Sequence, residues 1–431
     1  MEVELNIKQK KALDKIINGK NVFLTGPGGS GKSFLLKYFI EYYKNNIETE
    51  DSLLFVTSTT GLSALLIDGI TINRYAGIGI GDKDIDYYYN KIIKMKTLKK
   101  RWLKTKILII DEISMMTPEL FDKLEKLAKK IRKNEKKFGG IQIILSGDFL
   151  QLPPIKSINF CFESITWNDV IEETFYFDII IRQNNNILQN VLNNIRIGIV
   201  NDEVKELLDS CLNKDLTNKE GIIPTLLFSK KNIVIEYNEK ELKKLINNEK
   251  DYKIFDSNYV FTTNIKEESK FLLKELINSQ FQIEDQITLS IDSQVMLTIN
   301  LPEDGLSNGS RGIIIDFTKD ENKYPVVLFL NGKKMIIKSY EYKLYEENNS
   351  IIKIQIPLIL AWAITIHKAQ GMSLEYVKTD IGSSIFEYGQ AYVVLSRIKT
   401  IDGLSLINID YSKIRAHPKI LEYYKNLIHS N

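Results

Sequence analysis

The stretch GPGGSGKS, Gly26 to Ser33, lies between an apolar run, NVFLTG, and an amphipathic one, SFLLKYFIEYYK. Strand, glycine loop, helix is the order that a phosphate-binding loop requires, and it commits this part of the chain to an α/β sheet. Glycines let the backbone curl until successive N–H groups face phosphates, and the following helix points its positive end at them. Gly26, Pro27, Gly28, Gly29, Ser30, Gly31, Lys32, Ser33 and Phe34 are therefore the nucleotide-binding candidates. Lys32 reaches the β- and γ-phosphates and Ser33 holds Mg²⁺. The nucleotide is ATP or GTP.

Apolar runs recur at 21–25, 53–57, 107–110 and 141–146, with helical patterns between most of them. Near-continuous apolar strands alternating with helices imply a parallel sheet covered on both faces. Between Gly77 and Lys104 the pattern breaks into a short inserted helical element. Leu120, Phe121, Leu124, Leu127 and Ile131 mark one helix face, with Lys123, Lys126, Lys130 and Lys133 read as a solvated face outside it. A second α/β unit begins near Ile179, and within it residues 286–345 carry short strand-like runs separated by turn signals, the pattern of a small all-β insert.

At 431 residues the chain is long enough for two or three cores. A formal net charge of +3 means that any nucleic-acid surface is a local groove and not a globally basic body. Cys161 and Cys211 lack metal-ligand spacing, which argues against a zinc site and a disulfide scaffold and assigns both to core packing. No apolar signal core opens the chain and no run is long enough for a membrane span, so the expectation is a soluble intracellular protein with no membrane partner.

Two further segments carry chemistry. KILIIDEIS, Lys106 to Ser114, is an apolar strand ending in two acids. Asp111 binds Mg²⁺ and Glu112 polarises the attacking water, since hydrolysis needs a positioned nucleophile beside a neutralised phosphate. GDFLQLPP, Gly147 to Pro154, follows another strand, and its Gln151 is placed to hydrogen-bond the γ-phosphate or its water.

With TSTTGLSALLIDGITINRYAGIG (57–79), IIDEISMM (109–116), the segment from Lys123 to Pro154, IIRQ (180–183), GLSNGSRGIIIDF (305–317), PLILAWAITIHKAQGMSL (357–374) and FEYGQAYVVLSRIKTIDGL (386–404), the sequence resembles the petite-integration-frequency (Pif) DNA helicases. These form part of the RecD-like branch of superfamily 1, and the resemblance runs from about Gln9 to Gly403. It implies an α/β fold of two RecA-like P-loop NTPase domains: residues 1–178, with a helical insert at about 77–104, and residues 179–431, with a small β-barrel insert at about 291–350. The resemblance makes Gln9 the adenine-recognising glutamine and adds Gly371 to the nucleotide set. Lys32, Ser33, Asp111, Glu112 and Gln151 become the hydrolytic set. Arg182 and Arg397 become the arginines that reach the γ-phosphate from the second domain or its junction, a task suited to a fixed, always-charged fork.

For nucleic acid the family pattern implicates Thr59, Thr60 and Gly61, Asn308, Ser310 and Arg311 in the insert, and Thr365, His367 and Lys368. Hydroxyls, amides and short cations follow a phosphate backbone without reading bases. Tyr75, Phe149 and Trp362 lie in or beside these motifs and either stack on bases or pack in the core. Asn73 stands where the family usually has histidine, and Asp292 where it usually has glycine. The absence of a long N-terminal extension reads as a bare core of bacterial, phage or viral size.

The implied activity is ATP-dependent, 5′-to-3′ unwinding of duplex or structured DNA in replication, recombination or repair. ATP and Mg²⁺ are the cofactors, single-stranded and forked DNA the partners, a monomer the solution state and the cytoplasm, nucleoid or viral replication site the location. Rival readings are an RNA-directed superfamily 1 helicase and a DNA-stimulated ATPase that remodels nucleoprotein without unwinding.

Overall fold

The computed structural model describes residues 5–154, 157–183, 185–216, 221–261, 265, 267–281, 283–346 and 349–429. The chain forms two compact units: residues 1–199 with 387–392 and 414–431, and residues 200–386 with 393–413.

The first unit is built on six parallel strands, β1 (Val22–Thr25), β2 (Leu53–Ser58), β3 (Ile70–Thr71), β4 (Thr105–Asp111), β5 (Gln142–Gly147) and β6 (Glu173–Tyr176), in the order β3-β2-β4-β5-β1-β6. Its central strands are mostly apolar because both faces are covered. Phe23, Leu108, Ile110, Ile143 and Leu145 face one core, shared with the helix Pro118–Arg132 and the inserted helices. Val22, Leu24, Ile107, Ile109 and Ile144 face another, shared with the helices Ile7–Ile17 and Lys32–Asn46.

The expected helical insert is a pair of helices, Ile85–Lys94 and Lys96–Lys104, whose Tyr88, Ile92, Leu98 and Trp102 enter the first core. The lysines read as a solvated face divide. Lys126 and Lys133 are exposed, but Lys123 donates to the carbonyls of Gly81 and Lys83 at 2.6 and 2.7 Å and Lys130 pairs with Asp86, so these two tether the insert. Tyr75, Phe149 and Trp362 are buried, which resolves their alternatives in favour of core packing. Cys161 and Cys211 are buried free thiols.

In the second unit four parallel strands run in the order Ala363–Thr365, Thr225–Phe228, Val377–Ile381, Leu404–Ile409. The β insert is a five-stranded antiparallel sheet that shares a core of Phe255, Leu289, Val295, Ile314, Val327 and Phe329 with the pair Tyr252–Asp256 and Gln286–Ser290. A three-stranded sheet, in which Asn258–Phe261 joins Tyr340–Glu346 and Asn349–Gln355, packs beside the helix Glu267–Phe281. The β-rich part thus starts at Tyr252 and ends at Leu360, on either side of 291–350. Asp292 explains its own departure from glycine: its φ is +69°, a left-handed conformation that glycine adopts freely and aspartate tolerates, and Lys250 pairs with it at 2.9 Å. Among the described residues no helix is long and apolar enough to cross a membrane.

Candidate nucleotide site and nucleic-acid contacts

Parallel strands deliver their C-terminal ends to one edge of a sheet, and ligands of open α/β sheets bind there. In the first unit Thr25 is level with Gly147, and Ser58 with Asp111, so the loops after β1, β2, β4 and β5 emerge together. Those four loops carry the glycine loop, Thr59 to Gly61, the acidic pair and Gln151.

The loop needs glycine at Gly26 and Gly29. A Cβ on Gly26, whose φ is +138°, would sit 2.1 Å from the Phe177 carbonyl oxygen, and one on Gly29 (φ +83°) 2.6 Å from Arg182 Cβ. The helix that follows starts after Gly31 with no side-chain cap, which leaves its first amides to a phosphate. Lys32 Nζ donates to the carbonyls of Gly26 and Pro27 at 2.7 and 2.9 Å, and burial lowers its pKa to about 8 against the opposing pull of Asp148, Glu112 and Asp111. Gln9 lies against the same loop, its Nε2 3.4 Å from the Gly31 carbonyl oxygen, and its Oε1 accepts from the Asn6 N–H in a capping box.

Asp111 closes β4, and burial raises its pKa. A buried carboxylate with the Ser33 hydroxyl is the donor set that Mg²⁺ takes when phosphate oxygens and water complete its shell. Glu112 has φ +53° and ψ +44°, a left-handed conformation for a non-glycine residue that costs on the order of 1–3 kcal/mol and is characteristic of functional positions. Thr59 Oγ1 donates to the Glu112 carbonyl at 2.9 Å and its N–H to the Asp111 carbonyl at 3.3 Å. The loop assigned to nucleic acid is therefore bonded to the loop assigned to hydrolysis.

Gln151 is buried, its Nε2 3.5 Å from Asp148 Oδ2. Asp148 is the centre of a network that the sequence reading missed. Arg196 grips it with Nε at 2.9 Å and Nη2 at 2.7 Å, while Arg196 Nη1 reaches the Tyr176 hydroxyl at 3.0 Å. Burial would push the Asp148 carboxyl up, but the guanidinium holds it below the usual carboxylate range. The available signal was Arg196 itself, a charge on the apolar face formed by Leu188, Val191, Leu192 and Ile195. Tyr392 was also missed: its hydroxyl accepts the Gly28 N–H at 2.8 Å.

Arg182 lies in the first unit beside the glycine loop, its backbone N–H 3.3 Å from the Gly29 carbonyl oxygen. Arg397 is buried in the second unit, where its Nε donates to the Val393 carbonyl at 2.9 Å and Nη2 to Ser396 Oγ at 2.8 Å. Gly371, also in the second unit, has φ +79°.

Of the nucleic-acid candidates, Thr60 caps the helix Gly61–Leu66 and Thr365 caps Ile366–Ala369, bonding the Lys368 N–H at 3.1 Å. His367 and Lys368 are half-buried in that short helix, and burial lowers the Lys368 pKa to about 8. Ser310 and Arg311 line a cleft of about 150 Å³ with Ser307, Asn331, Glu375 and Lys399. Asn308, next to them, is buried with its N–H on Asn300 Oδ1. Arg311 is buried too, its guanidinium on the carbonyls of Tyr376 and Ile223, and desolvation lowers its pKa to about 10. Asn73 donates to the Gly79 carbonyl at 2.7 Å and so holds a turn of the first unit.

The model of the PIF1-like helicase family matches residues 4–207. The chain is 36% identical over 434 residues to the ATP-dependent DNA helicase PIF1 of Xenopus laevis, an alignment covering 99% of this chain and 65% of that protein. It is 33% identical over 505 residues to the ATP-dependent DNA helicase RRM3 of Saccharomyces cerevisiae, covering 99% and 68%. The crystal structure of a Pif1 helicase from Candida albicans matches with a TM-score of 0.81 and 36% identity over 99% of this chain and 100% of that one. The chain spans about two thirds of the length of these two curated relatives.

Proposed function

The chain belongs to the PIF1-like helicase family, and from that membership we propose that it is an ATP-dependent DNA helicase that moves 5′ to 3′ on single-stranded DNA. The observation that carries the reading is the convergence at one sheet edge of the Lys32 loop, the strained Glu112 and Gln151, with Thr59 bonded to the Glu112 carbonyl. Hydrolysis and strand contact then share a backbone.

In this reading the loop amides and Lys32 take the charge of the β- and γ-phosphates, and Gln9 reads the adenine. Glu112 orients and deprotonates water, while Gln151 senses the γ-phosphate. Ser33 and Asp111 hold Mg²⁺, which supplies charge neutralisation to the phosphates when bound. Arg182 and Arg397 stabilise charge developing on the transferred group. Thr59, Thr60, Gly61, Asn308, Ser310, Arg311, Thr365, His367 and Lys368 follow the DNA backbone. The protein acts as a monomer on single-stranded and forked DNA.

Strand displacement on duplexes bearing a single 5′ or 3′ tail tests the proposal. Unwinding from the 5′ tail, dependent on ATP, is expected. Unwinding from the 3′ tail overturns the polarity, equal action on RNA favours the RNA-directed reading, and DNA-stimulated hydrolysis without displacement favours a remodelling ATPase.

A further inference from the structure

The C-terminal helix Pro418–His429 belongs to the first unit, and its Tyr424 reaches two loops of the nucleotide site. The Tyr424 oxygen lies 2.6 Å from Thr25 Oγ1, on the last residue before Gly26, 3.2 Å from Asp148 Oδ1 and 3.1 Å from the Phe149 amide nitrogen. A carboxylate only accepts, so the single phenolic proton goes to Asp148; Thr25 and the Phe149 N–H both donate to the phenol oxygen. Every hydrogen-bonding capacity of that hydroxyl is used. Arg196, the bidentate partner of Asp148, lies over the Tyr424 ring at 5.0 Å. Asp148 in turn accepts the Leu150 N–H at 3.2 Å, and its carbonyl accepts the Gln151 N–H at 3.0 Å.

We propose that the Tyr424 hydroxyl is a positioning group for ATP hydrolysis, holding the entrance of the phosphate loop and the Gln151 loop in one register, so that the C-terminal helix is part of the ATPase site. The proposal rests on the ATPase reading above. A tyrosine that only filled the core would be replaced by phenylalanine without loss, because the ring contacts with Tyr176, Tyr423 and Arg196 would remain. A positioning hydroxyl would not. The two loops are joined through an oxygen that phenylalanine lacks, and misplacing a group that meets the reacting phosphate lowers kcat more than it weakens ground-state binding.

The test is steady-state ATP hydrolysis by the full chain with saturating single-stranded DNA, for wild type, Tyr424→Phe, Thr25→Val, the double variant, Thr25→Ser and Tyr423→Phe. Tyr424→Phe is expected to lower kcat about tenfold with KM for ATP within about twofold. Thr25→Val should act in the same direction, and the double variant should fall no further than the lower single, because both remove one shared bond. Thr25→Ser, which keeps the hydroxyl, should retain activity, as should Tyr423→Phe. Wild-type kcat in Tyr424→Phe, or additive losses in the double variant, overturns the proposal; if Tyr424→Phe does not fold, Thr25→Val and Thr25→Ser decide it by the same criterion. A wild-type chain inactive with ATP and DNA would instead overturn the helicase reading, and this proposal with it.

Discussion

Replacing Arg196 by methionine probes the ion pair beneath the nucleotide site. The side chains of Arg196 and Asp148 are 4% and 0% exposed, so water screens their attraction little. Removing one partner of such a pair costs about 3–5 kcal/mol, because the other charge stays buried. Methionine keeps much of the volume and Lys32 remains as a second cation acting on Asp148, which favours the lower end, about 3 kcal/mol. The loss depends on pH with a definite sign. In the wild type the folded Asp148 pKa lies below its unfolded value, so its stabilisation is complete above an unfolded pKa of about 4 and fades as pH falls through the folded value. In the variant burial dominates and the folded pKa rises, so the penalty grows as pH increases from about 4 to 7. Urea unfolding followed by the fluorescence of Trp102 and Trp167, both in the first unit, measures it. With an m-value of about 2 kcal/mol/M the midpoint should fall by about 1.5 M at pH 8 and by less at pH 4.5. A drop below about 0.3 M at pH 8, or one equal at both pH values, would refute the reasoning.

Lys32→Ala and Glu112→Gln should both stop turnover, but only Glu112→Gln should retain ATP in filter binding, since it keeps phosphate charge compensation; turnover by Glu112→Gln at the wild-type rate would remove that residue from catalysis. Single-turnover hydrolysis by Arg182→Ala or Arg397→Ala should fall by about 10³ to 10⁵, roughly 4 to 7 kcal/mol of barrier, and a fall below tenfold would make the arginine structural. Single-stranded DNA affinity should decline with salt at a log–log slope near −0.7 per phosphate neutralised. Lys368→Ala should flatten that slope by somewhat under one unit at pH 6.5 and by less at pH 9.5, because a lysine with a pKa of about 8 is charged only at the lower pH; an unchanged slope at pH 6.5 would take Lys368 out of the contact.

Four strands of the first sheet, β1, β2, β4 and β5, were legible because they are largely buried and read as mostly apolar runs, with each functional segment adjacent in sequence to the strand that delivers it, whereas the short β3 and the half-buried β6 carry no such run. Gly26 to Ser33 after β1 and Asp111–Glu112 after β4 need no tertiary information to place. The network around Asp148 does: Arg196 is 48 positions away and Tyr424 is 276, and nothing local pairs them. The early strands of the β insert were hidden for another reason. Tyr252–Asp256 spans only five positions, of which Phe255 alone is buried and Lys253 half-buried, and holds its place through antiparallel pairing with Gln286–Ser290, a partner some thirty residues on. The lysines of the helix Pro118–Arg132 looked like an ordinary solvated face because the carbonyls and rings they meet, around Gly81 to Tyr89, lie on a separate insert.

The central claim is that nucleotide hydrolysis at the Lys32 loop is coupled to a bound single strand. The rate of ATP hydrolysis by the wild-type chain, with and without single-stranded DNA and with Lys32→Ala as the blank, tests it most directly. The account predicts a low rate without DNA, a rise of at least tenfold with saturating DNA and none in Lys32→Ala. A wild-type rate that DNA leaves unchanged would contradict it.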